Sequence, residues 1–195
     1  MQITRRAAAF ILAAGLALSS AVSFAADNPR VKIATSMGDI VVELYPEKAP
    51  KTVDNFLTYV KAKHYDGTIF HRVINGFMIQ GGNYDAQFRP RPTRPSIKHE
   101  GVTIHNDVGT IAMARTNDPN SATDQFFINV VDNSRLDPTG PTDGYVAFGK
   151  VVSGMDVVNK IKAIPTGPAP RPAGHMFNRD VPQTTVTIQS ATIVQ

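Results

Sequence analysis

Beyond its first 25 residues, only two stretches of this chain space their apolar residues as a helix does; the rest alternate in short runs cut by turn residues. Val53, Phe56, Leu57 and Val60 fall at i, i+3, i+4 and i+7 behind Pro50, which suits a first helical turn because its missing N–H costs nothing there. Met155, Val158 and Ile161, with flanking Val157, suggest a shorter second helix. The remainder reads as strands: a hairpin over Arg30–Leu44 split at Ser36–Asp39, then 69–74, 77–80, 109–116, 125–130, 145–152 and a closing strand over Thr184–Val194. With 14 glycines and 14 prolines the elements must be short and the turns many. Such a pattern predicts a mainly β fold, a closed antiparallel barrel with helices over its ends. Inward-facing residues such as Phe126 and Ile128 would fill a small barrel, which argues against an apolar ligand held inside it.

Phe70 to Gly82 is the most informative stretch. Asn75-Gly76 is a strong hairpin signal, because a two-residue turn needs φ > 0 at both central positions. Strand alternation puts Phe70, Arg72 and Ile74 on one face; Phe77 and Ile79 share another, opposed to Met78 and Gln80. A permanently charged guanidinium is thus presented beside large apolar side chains and an amide.

Met1–Ala25 reads as a cleavable signal peptide, leaving 26–195 as a single domain. Arg5-Arg6 form a positive start, Ala7–Leu18 an apolar run too short to span a bilayer, and Ser23-Phe24-Ala25 a small-residue cleavage site. The arginine pair alone is a poor twin-arginine signal, so general secretion is the expectation, and with it a periplasmic or secreted protein. Removing the leader takes Lys+Arg from 20 to 18 against 16 acids, a net charge of +2. No nucleic-acid partner is expected from that balance, and no membrane association after signal removal. Cysteine is absent, so disulfides and thiolate metal sites are excluded. The histidines show no metal-ligand spacing, and no Gly-x-Ser-x-Gly elbow or paired carboxylates offer a handle for hydrolysis. Residues 83–107, with Arg89, Arg91 and Arg94 alternating with prolines, read as a solvated loop; its place after the hairpin leaves a substrate-facing rim as the second reading.

Phe-His-Arg-Val-Ile-x-Gly-Phe-Met-Ile-Gln-Gly-Gly at 70–82 resembles the signature segment of the cyclophilin-type peptidyl-prolyl cis-trans isomerases. Gly109–Ala114, Ser121–Ile128 and Val146–Asp156 resemble further segments of that family, in the same order, so the likeness covers 30–194. It implies an eight-stranded antiparallel barrel capped by two helices, with the groove on the outer face of the sheet, no cofactor and no metal. Carried over by position, it implies Arg72 as the catalytic arginine. Phe77, Met78, Phe127, Leu136 and Tyr145 would wall a proline pocket, Gln80 and Gln125 would bond the substrate backbone, and Ala114-Arg115-Thr116 would hold the residues before the proline. Tyr145 stands where many relatives carry histidine, Arg135 where many carry tryptophan, and Arg115 replaces a common asparagine, which bears on ligand preference rather than on rotation. The implied partners are proline-containing segments of folding polypeptides, handled by a monomer. A barrel that holds such segments without turning them is the alternative; it would have no need of a cation at the bond that rotates.

Overall fold

A computed structural model describes residues 27–101, 103–140, 142–169 and 179–194. The expected leader over 1–25 and part of the proline-rich stretch after Ile164 lie outside the described residues. Eight strands form one antiparallel sheet: β1 (Arg30–Thr35), β2 (Gly38–Leu44), β3 (Arg72–Ile74), β4 (Met78–Gly81), β5 (Thr110–Met113), β6 (Phe126–Asn129), β7 (Ala147–Ser153) and β10 (Ile188–Val194). Their order is β10-β1-β2-β7-β5-β6-β4-β3, while β8 (Thr166–Gly167) and β9 (Val181–Pro182) make a separate two-stranded piece. The helices are α1 (Pro50–Lys61) and α2 (Met155–Lys162).

The sheet departs from the expected closed barrel in one respect, since its end strands β3 and β10 do not pair as a ladder. The seam is bridged just before each of them. Ile69 pairs with Thr187, the Phe70 N–H donates to Val186 O at 2.9 Å, and the Ile188 N–H donates to Thr68 O at 2.7 Å. Phe70 and His71 precede β3 rather than belonging to it, so the strand alternation expected from Ile69 onward fails there. Phe70 turns inward, 1 % exposed, while Arg72 stays outside.

Alternation elsewhere sorts the side chains into two clusters. Inside, Ile33, Ile40, Val42, Val73, Ile79, Ile111, Phe126, Ile128 and Phe148 pack with Phe56 and Val60 of α1 and Val158 and Ile161 of α2. Phe126 meets Phe56 edge-on at 5.6 Å, Tyr65 at 5.4 Å and Phe70 at 6.0 Å, so aromatic rings fill the interior. Outside, Met78, Ala112, Phe127 and Ala147 form a second buried cluster, contributed by the neighbouring strands β4, β6, β5 and β7.

Helix α1 has no side-chain cap from its own Ala49. Glu100 supplies one from the proline-rich loop, accepting from the Lys51 and Thr52 N–H groups at 2.9 and 2.8 Å and from Thr52 Oγ1 at 2.6 Å. A carboxylate there satisfies orphan donors and meets the positive end of the helix dipole.

Candidate functional site

The hairpin carrying Arg72 is closed by three residues rather than two, because Ile74 pairs with Met78. The Phe77 N–H donates to Ile74 O at 3.0 Å, and within this turn φ is positive only at Gly76, +84°. That is the pattern of a type II turn, whereas the expected two-residue form needs a positive φ at Asn75 as well. The extra residue lifts Phe77 out of the ladder. It therefore lies with Met78 on the outer face and not, as alternation suggested, with Ile79 in the core.

The outer cluster is apolar and lies where the family resemblance expects a proline pocket. Met78, Ala112, Phe127 and Ala147 form its floor, all at most 4 % exposed. Phe77, Leu136, Tyr145, Ala114, Ile74 and Ile104 pack around it. Tyr145 stands edge-on to Phe127, centroids 5.6 Å apart and planes at 80°. The two alanines, Ala112 and Ala147, are fully buried in this floor. They and Ile104 escaped the sequence reading, although alternation already puts Ala112 opposite Ile111 and Met113, and Ala147 opposite Phe148.

Beside the pocket runs a polar row. Arg72 Nη1 donates to Gln80 Oε1 at 3.4 Å, and Gln80 Nε2 donates to Gln125 Oε1 at 2.9 Å. Register places Arg72 opposite Gln80, and Gln80 opposite Phe127, so a cation, an amide and an aromatic stand across three adjacent strands. Gly82 makes the approach of Gln125 possible, because a Cβ at its φ of +121° would meet Asp124 O at 2.9 Å and Gln125 Cα at 3.1 Å. Beyond the glutamines lies a depression of about 150 Å³ lined by Gln80, Ala114, Arg115, Thr116, Ser121, Thr123 and Gln125. Ala114 borders both the apolar cluster and this depression, and Gln80 links the depression to Arg72.

Three features of this surface come from residues remote in sequence. Asp180 places its carboxylate 3.8 Å from Arg72 Nε and accepts the Val73 N–H on its backbone carbonyl at 2.8 Å. Three buried asparagines stitch the pocket walls together. Asn133 donates to Phe77 O at 2.8 Å and to Asn129 Oδ1 at 2.7 Å; Asn129 donates to Asn106 Oδ1, and Asn106 to Tyr145 O, each at 3.1 Å. Asp124, just before Gln125, is bonded by His64 at 2.7 Å and Asn83 at 2.8 Å. Burial opposes ionisation of Asp124, but those bonds outweigh it and hold the carboxyl below its ordinary range.

His71, adjacent to Arg72, is 4 % exposed and packs edge-on to Tyr84 at 4.9 Å. Burial lowers its pKa to about 4, so it is neutral at physiological pH. In the loop after the hairpin, Arg91 donates to His64 O and Asp66 O at 2.7 and 2.6 Å, and Arg89 pairs with Asp85. These two arginines fasten the loop to the end of α1 and to the loop itself; Ile104, much further along, is what reaches the pocket.

Comparison with known proteins agrees with this geometry. The profile described as cyclophilin type peptidyl-prolyl cis-trans isomerase/CLD matches residues 30–193. A peptidyl-prolyl cis-trans isomerase of Streptomyces antibioticus is 51 % identical over 168 residues, covering 84 % of this chain and 98 % of its own length. Peptidyl-prolyl cis-trans isomerase B of Escherichia coli K12 is 50 % identical over 163 residues, covering 82 % and 96 %. Among solved structures, a cyclophilin type isomerase of Cryptosporidium parvum superposes with a TM-score of 0.69 at 27 % identity, covering 86 % of this chain and 98 % of its own. That same protein has also been solved in the presence of the dipeptide Ala-Pro.

Proposed function

We propose, for a chain that belongs to the cyclophilin-type peptidyl-prolyl cis-trans isomerases, that Arg72 carries the rotation step by donating to the prolyl nitrogen of a bound X–Pro segment. Rotation must break amide resonance, a barrier of about 18–20 kcal/mol. In the twisted transition state the nitrogen regains a localised lone pair, so a guanidinium bonds it more strongly there than in the flat ground state. Bringing an uncatalysed step of tens of seconds down to milliseconds takes about 10⁴-fold, roughly 5–6 kcal/mol. One charge-assisted hydrogen bond contributes about 1.5–3 kcal/mol. The rest comes from seating the ring over Met78 and Phe127, between Phe77, Leu136 and Tyr145, while Gln80, Gln125 and Ala114-Arg115-Thr116 hold the chain before the proline. One flank stays fixed and the other turns.

The observation that carries this reading is Arg72 bonded to Gln80 at the lip of an outward apolar pocket. Arg72→Ala should lose about tenfold to a hundredfold in kcat/KM with thermal unfolding unchanged. Full activity in a stably folded Arg72→Ala protein would remove Arg72 from the mechanism.

The chain further acts, in this proposal, as a monomer on polypeptides folding after export, its leader over 1–25 having been cleaved. The charged start, short apolar run and small-residue site support that. Amino-terminal sequencing of the protein recovered from a cell's periplasmic or secreted fraction should begin at Ala26. Recovery only from cytoplasm with Met1 intact would end the export proposal.

A further inference from the structure

Two guanidinium groups sit over aromatic rings of the pocket walls. Arg135 Cζ is 4.8 Å from the centroid of Phe77, and Arg115 Cζ is 4.8 Å from that of Tyr145. A cation–π contact of this kind leaves N–H groups of the guanidinium for other partners. Arg115 spends part of its edge on Gly144 O and Thr116 O, both at 2.8 Å. Arg135 is exposed, and among the described residues it makes no hydrogen bond and no ion pair. Arg115 likewise has no carboxylate within 4.0 Å among them, whereas Arg30, Arg72 and Arg89 pair with Glu43, Asp180 and Asp85.

The carboxylates on the same loops are committed elsewhere. Asp118 accepts the Asn120 N–H at 2.8 Å, Asp132 the Ser134 N–H at 2.9 Å, Asp137 the Asn106 N–H at 2.6 Å and Asp143 the Gly140 N–H at 2.8 Å. These bonds hold Asp118, Asp132 and Asp143 to their own turns and Asp137 to the neighbouring loop, and none of the four pairs with either arginine. The depression beside Arg115 is lined by amides, hydroxyls and an alanine, with no acidic group. A side chain entering that depression therefore meets the Arg115 guanidinium and no carboxylate among its lining residues.

We propose that this site selects X–Pro segments bearing an acidic side chain next to the proline, and that Arg115 and Arg135, one on each wall, make the selection. The proposal rests on the isomerase reading above and names its substrate class. Both cations sit on rigid rings, so a ligand carboxylate pairs with groups already held in place. Pairs this close to the surface give modest, salt-sensitive gains. The expected effect is accordingly a preference and not an absolute requirement.

The test compares tetrapeptides differing only in Glu against Gln, placed immediately before the proline in one pair and immediately after it in another. Isomerisation is followed at low and high salt. Glu peptides should be turned over about two- to fivefold more efficiently at low ionic strength, the ratio falling toward one near about 0.5 M salt. Arg135→Gln should erase the ratio at one flank and Arg115→Gln at the other. Because Arg115 also holds two backbone carbonyls, Arg115→Lys is the companion variant; it keeps the charge and should keep the preference. Equal turnover of Glu and Gln peptides at both flanks, or a ratio that survives both Gln variants, overturns the proposal. If no peptide is accelerated at all, it is the isomerase reading that fails. The two failures are thus distinct.

Discussion

The Asp180 carboxylate lies 3.8 Å from Arg72 Nε, and the backbone carbonyl of the same residue accepts the N–H of Val73. Asp180 therefore holds the strand that carries Arg72 and leans its charge on the rear edge of the guanidinium. Its φ is +62°, a conformation that Asp and Asn adopt more readily than Ala. Asp180→Asn removes the charge while respecting the backbone. We expect kcat/KM to fall about two- to fivefold, mainly in kcat, with the loss shrinking as salt is raised. Asp180→Ala should show a similar catalytic loss plus lower stability. Steady-state kinetics at two ionic strengths and thermal unfolding check both, and a salt-independent loss in the Asn variant would mean that charge is not what Asp180 contributes.

Phe126 and Phe127 are neighbours in β6 with opposite duties. Phe126 is 0 % exposed in the interior and Phe127 4 % exposed on the pocket floor. Phe126→Ala should cost about 3–5 kcal/mol of stability through the cavity it leaves. Phe127→Ala opens onto a surface pocket, so its stability cost should be smaller and its kcat/KM loss the larger of the two. Chemical denaturation and peptide turnover on both variants decide this; equal stability losses would contradict the two-cluster division.

How much of this was legible beforehand follows from the range of each interaction. The period-2 runs revealed the strands and the i, i+3, i+4 runs revealed α1 and α2, because those signals are local. The contiguous motif exposed Arg72, Phe77, Met78 and Gln80 together. The three-residue turn was not legible, since Asn-Gly is compatible with more than one turn type. Nor was the inward turn of Phe70, whose N–H bonds Val186 O across the seam, far away in sequence. Asp180 and the asparagines at 106, 129 and 133 act across the fold, where neither spacing nor alternation carries a mark of them.

The asparagine set gives a third expectation. Asn133→Ala leaves Phe77 O and Asn129 Oδ1 without their donor in a buried setting. A loss of about 1–3 kcal/mol should follow. Because Phe77 is a pocket wall, KM for a proline peptide should rise more than kcat falls. A variant whose KM is unchanged would show that the wall stands without this bond.

The fourth concerns pH. His71 has a folded pKa of about 4 against an ordinary 6.5, with burial the dominant cause and Arg72 adding to it, opposed by the Ile69 carbonyl and Gln125. A depressed folded value means the unfolded chain binds the proton more tightly. The stability from keeping His71 neutral is therefore complete above pH 6.5 and is lost as pH falls toward 4. The full difference is about 3 kcal/mol. Urea unfolding at pH 7 and pH 4.5 should show the unmodified protein losing about 2–3 kcal/mol more than His71→Gln between those values. Turnover, by contrast, should stay flat from about pH 6 to 9, as arginine remains charged throughout. A step near pH 6.5 that disappears in His71→Gln would give this histidine a part in the chemistry.

The position of β1 bears on how such a chain is made. Strand β1 lies between β2, which follows it directly, and β10, more than a hundred and fifty residues later. During synthesis one edge of β1 can be satisfied at once, while the other must wait for 188–194 to emerge. The seam at Ile69–Thr187 waits equally long. A nascent chain is consequently held short of its folded state until residues 188–194 are available.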